Sequence, residues 1–77
     1  MAKENHGVIS VSRVMSSNLK AVQLGSHLMH DCFGGSFAKE NEFVNVGISD
    51  TLISVVFAID APNDLIIDTM KEMREFT

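Results

Sequence analysis

The chain has 77 residues, 45% of them apolar and 21% charged, with a net charge of −4. That balance fits one small folded domain rather than a disordered chain, near the lower size limit at which a single core suffices. One cysteine cannot staple a monomer, and no run nears the roughly 18 apolar residues of a spanning helix. "MAKENHG" lacks the apolar stretch of a secretory leader, so the expected setting is the cytoplasm, away from membranes.

"GVISVSRVM" alternates, with Ile9, Val11 and Met15 on one side and Ser10 and Ser12 between them, as a strand does. "SSN" at 16–18 supplies side chains that accept from the free N–H groups at a helix start. From Leu19 to Phe33 the apolar residues recur at helical spacing, and Gly34-Gly35 is expected to end the helix. "SFAKENE" reads as a polar connection. "FVNVGIS" puts Val44, Val46 and Ile48 on one face, and "TLISVVFAI" is apolar enough for a central strand. Ser49 and Asp50 suit a tight hairpin between them. "DAPND" opens a last helix, with Asp60 as the candidate cap and Pro62 in the first turn.

The predicted order is β-α-β-β-α, an α+β fold forming a two-layer sandwich. A right-handed crossover followed by a hairpin places the third strand between the first two and antiparallel to both. Both helices then cover one face of a three-stranded sheet, the ferredoxin-like split β-α-β arrangement without its last strand. The outer edge of residues 7–15 is left without a partner, which predicts a homodimer through that edge. A proline at Val11 is the substitution expected to remove an N–H from it.

The stretch "GSHLMHDCFGGSF" holds two of the three histidines and the cysteine. At about 100° per residue, Cys32 falls in the apolar half of the first helix with Leu24, Leu28 and Ala21, while His27, His30 and Asp31 fall in the polar half. Cys32 and His30 lie nearly opposite, too far apart to share a metal or to act as a nucleophile and its base. Cys32 therefore reads as a small buried hydrophobe, and His27 with His30 as a solvated face. The glycines follow a helix instead of preceding one, so they are not a phosphate loop. No catalytic residue, metal site or cofactor is predicted.

Charge divides unevenly. Residues 40–77 carry eight acids against Lys71 and Arg74, which opposes direct nucleic-acid binding. On the last helix Ile66, Met70 and Met73 form the expected buried stripe, and Asp64, Asp68, Glu72 and Glu75 collect on the other face. That face is the candidate binding site for another protein with a basic surface, and the expected role is a small acidic regulator or inhibitor.

The element order with its acidic terminal helix resembles DinI-type regulators of the recombinase RecA. That resemblance implies a last helix used on a partner protein. A second resemblance, to ACT-type regulatory modules, implies a small-ligand site near "SRVMSSN", with Ser16, Ser17 and Asn18 as the contacts. This is the alternative function; a small enzyme is not expected.

Overall fold

The computed structural model describes residues 7–34 and 43–77. Five elements follow in the predicted order: β1 (Val8–Val14), α1 (Asn18–Asp31), β2 (Val44–Ser49), β3 (Leu52–Ala58) and α2 (Asn63–Glu75). The connection at 36–42, Gly35 and the lead-in with His6 lie outside the described residues.

The sheet order is β1-β3-β2, with β3 antiparallel to both neighbours. β3 takes the centre because its inward residues Ile53, Val55 and Phe57 need cover, and all three are fully buried. Against them pack Ala21, Leu24 and Leu28 of α1 and Met73 of α2, so both helices lie on one face. The other face carries Ser10, Ser12, Gly47 and Ser54 among its residues and no charged strand residue. Ser12 and Ser54 join their hydroxyls across it at 3.0 Å.

The ladder fixes which backbone groups face outward. Ile59 N–H donates to the Gly7 carbonyl (2.8 Å) and Met15 N–H to the Thr51 carbonyl (2.7 Å). Both pairs continue the β1/β3 register, in which Val11 stands opposite Val55. Bonded pairs alternate along an antiparallel ladder, so the odd-numbered β1 residues bond β3 and the even-numbered ones point away. Val11 N–H thus lies inside the sheet, and a proline there would break the fold instead of probing the edge. The outward donors belong to Val8, Ser10, Ser12 and Val14.

α1 starts where the polar run predicted, with the Ser17 hydroxyl accepting from Lys20 N–H at 3.1 Å. It ends at Asp31, two residues before the apolar periodicity runs out, and Gly34 then takes φ 99°, which glycine alone adopts without strain. Phe33 is nevertheless buried, because the turn folds it back onto the core. The hairpin loop is Asp50-Thr51, one residue later than expected, since Ser49 still pairs with Leu52. α2 begins at Asn63 behind Pro62, and Asp60 makes no cap.

Candidate protein-binding face on the last helix

α2 is rotated from the orientation its apolar residues suggested. Thr69 and Met73 are buried, whereas Met70 is 43% and Ile67 60% exposed. The Thr69 hydroxyl tolerates burial because it donates to the Leu65 carbonyl of its own helix at 2.7 Å. The helix surface then divides into three arcs. One faces the core through Ile66, Thr69, Met73 and Phe76. One, with Ile67, Met70 and Arg74, lies on the β1 side, where Met70 and Arg74 meet Val11, Ser12 and Arg13 across a groove of about 230 Å³. The third carries Asp64, Asp68, Glu72 and Glu75 and lies toward α1.

Two polar contacts fix this rotation. Arg13 is on the inward side of β1, between Val11 and the core residue Met15. Its guanidinium donates to the Met73 and Phe76 carbonyls, the latter at 2.8 Å. The Met73 carbonyl belongs to the last turn of α2 and the Phe76 carbonyl to the extended residue that follows it, neither with a helical N–H to pair with, so a cation there supplies the hydrogen bonds and suits the helix dipole. On the opposite flank His27 of α1 reaches Glu72: Nε2 lies 2.7 Å from Oε1, and Nδ1 lies 3.0 Å from Asp31 Oδ2. The imidazolium form satisfies both carboxylates, while a neutral ring has one N–H to offer. The ring also packs against Phe76, with centroids 5.5 Å apart. His27 is therefore a link between the helices and not part of a solvated face, whereas His30 is exposed.

Of the four carboxylates, Asp64, Asp68 and Glu75 are exposed and Glu72 is half-buried against His27. Among the described residues no lysine or arginine is ion-paired with any of them. Lys20, the one lysine of α1, gives its ammonium to the Thr77 carbonyl at 3.0 Å.

Cys32 closes the far end of this face, half-buried just past α1. Burial pushes its thiol pKa up, and the Glu72, Asp68 and Asp31 carboxylates push the same way. The Thr69 hydroxyl beside it pulls the other way, without reversing the direction set by burial. The thiol is not an activated nucleophile.

The alternative ligand residues are otherwise engaged. Ser17 caps α1, and the Asn18 side-chain amide donates to the Asp50 carbonyl at 2.7 Å, tying α1 to the hairpin turn. Ser16 alone of the three is exposed with no such bond. Among the described residues no group of three or more His, Cys, Asp or Glu side chains could hold a metal ion, and no helix is long and apolar enough to cross a membrane. The residue that sequence reasoning passed over is Arg13, although the alternation of β1 places it on the inward side with Ile9 and Val11.

Comparison with protein-family models, with curated proteins and with solved structures finds no match to this chain. The functional reading therefore rests on the geometry above.

Proposed function

We propose that this protein is a small, non-enzymatic regulator or inhibitor that docks the acidic arc of α2 on a basic surface of another protein. The observation that carries this reading is that Asp64, Asp68 and Glu75 stand exposed on one arc, interrupted by Lys71, and among the described residues none of them is ion-paired with a lysine or arginine. Carboxylates gathered on one helix face repel one another, and Lys71 alone among them offsets this only in part. A basic partner relieves that repulsion and gains speed of encounter from the same field. Anchoring by Arg13 and His27 holds the arc rigid before any partner arrives, so little ordering entropy is lost on binding.

The test neutralises Asp64→Asn, Asp68→Asn and Glu75→Gln together and leaves Glu72, which links the helices, in place. The unmodified chain is expected to capture a partner from native extract at low salt and to lose it at high salt. The neutralised variant should capture little at any salt, and with the purified partner its association rate should fall most. Ser26→Ala with His30→Ala, on the exposed side of α1, serves as the control and should bind normally. Equal binding by the neutralised variant would reduce the arc to a solvated surface. The ligand-module alternative has less to stand on, because Ser17 and Asn18 already serve the fold.

A further inference from the structure

Among the described residues no strand pairs with the outer edge of β1. The groups presented there are the N–H and carbonyl of Val8, Ser10, Ser12 and Val14, as the ladder parity requires. Read along the strand, these outward residues spell Val, Ser, Ser, Val, a pattern that is the same in both directions about Val11. A strand of this kind is complementary to its own reverse. When a second copy runs antiparallel with a two-fold axis at Val11, Val8 meets Val14 of the partner subunit and Ser10 meets Ser12 of the partner subunit. Every outward residue then finds a bonded pair. Sliding the pairing by two residues opposes valine to serine and leaves outward groups unpaired at the ends. A slide of one residue sets outward groups against inward ones and is excluded.

The exposure of the edge fits this arrangement. Val14 is 69% and Val8 51% exposed, and the register covers each with the other. Pairing seven residues does not by itself reach the roughly 1,000 Å² of a specific interface. The rest is available beside the strand, where Met70 and Arg74 of α2 line the groove over Val11, Ser12 and Arg13 and Ile67 is exposed on the same flank. This groove lies next to the same two-fold axis, so Met70 faces the corresponding flank of the partner subunit. The acidic arc is on the far side of α2, and two acidic chains meet here without opposing their carboxylates.

We propose that a second copy of this chain pairs antiparallel along β1, centred on Val11, to give a six-stranded sheet with four helices on one face. The proposal is independent of the acidic arc and stands or falls without it.

Sedimentation equilibrium is expected to show a dimer at micromolar concentration. Ser10→Pro or Ser12→Pro removes an outward N–H at two symmetry-related places while sparing the ladder to β3. Either should weaken the dimer roughly 10- to 100-fold, with the circular dichroism unchanged. Folding is kept out of the decision by a second arm, Val11→Cys in a Cys32→Ser background. In the proposed register Val11 faces its own counterpart as a non-bonded pair, with Cα atoms about 4.5 Å apart, inside the range a disulfide spans. Mild oxidation should yield a covalent dimer. A monomer at high micromolar concentration overturns the proposal. So does a dimer indifferent to both prolines, which would use another surface such as the uncharged open face of the sheet. A dimer in which the Val11→Cys variant fails to cross-link overturns the register.

Discussion

Arg13 shows how one side chain joins ends of the chain that sequence distance keeps apart. It anchors β1 to the end of α2 through two carbonyls that otherwise lack donors. Arg13→Met keeps most of the stem and removes the donors. The expected loss is about 2 kcal/mol, from charge-assisted bonds at a partly buried site, read as a lower urea midpoint. Arg13→Lys should recover only part, since both bonds leave the terminal Nη1 and the lysine ammonium ends one bond short of that position. An unchanged midpoint in Arg13→Met would show that the contact contributes nothing. Cys32 is the opposite case, a side chain kept quiet by its surroundings. Its raised pKa means that the native thiol holds its proton as pH rises through the ordinary thiol range, while the unfolded chain begins to lose it. The stability that Cys32 contributes is therefore complete at neutral pH and declines in alkali, and Cys32→Ala should flatten that decline. Alkylation of the native protein should be slow at neutral pH, and its rate should rise only at higher pH than in the denatured chain. Rapid native labelling at neutral pH would contradict this placement.

Among the elements, α1 comes close to the sheet at one position. Gly25 sits in its buried face, where an added Cβ would lie 3.1 Å from Ile48 Cδ1 and 3.7 Å from Ile53 Cδ1. Glycine in a helix interior costs about 1 kcal/mol relative to alanine, so the sign of Gly25→Ala depends on whether Ile48 can move. Ile48 belongs to an edge strand and is 39% exposed, which leaves its terminal carbon room to turn away. Gly25→Ala is expected to stabilise the fold by about 0.5 kcal/mol or slightly more, measured as a raised thermal midpoint. Gly25→Leu should be destabilising, because Ile53 is fully buried and cannot give way. A loss on Gly25→Ala would show Ile48 to be held in place. α2 makes a related point about helices with broad apolar surfaces. Leu65, Ile66, Ile67, Met70, Met73 and Phe76 cover more than half of its circumference, so its hydrophobic pattern permits several rotations. Arg13 at its end and His27 on its flank select one of them.

For the molecule as a whole, that rotation separates two surfaces. The carboxylates face outward beside α1, and the apolar flank with Ile67 and Met70 looks over the β1 edge. A protein of this size has little surface to share, and under the two proposals above the docking arc and the self-pairing edge lie on opposite sides of one helix, where neither blocks the other. The sheet's open face carries no charged strand residue and enters the proposed pairing only at its β1 margin, through Val8, Ser10, Ser12 and Val14. Removing the acidic arc should therefore leave self-association intact, and the edge prolines should leave the arc exposed.

The order of elements, the central place of β3, the start of α1 at Ser17 and the shared face of the helices all follow from local sequence. Strand alternation, a capping hydroxyl and the chain-length limits on crossovers act over a few residues each, so they can be read without the fold. The acidic arc was legible for the same reason. What lay beyond sequence was every decision made between distant residues. The alternation of β1 places Arg13 inward, but its acceptors at Met73 and Phe76 lie some sixty positions away. His27 looks like a surface residue until Glu72 is brought beside it. The rotation of α2, and with it the exposure of Met70 and the burial of Thr69, depends on both contacts. The direction of the Val11 N–H likewise depends on which pairs of the β1/β3 ladder are bonded, a property of the register between two strands that neither strand carries alone.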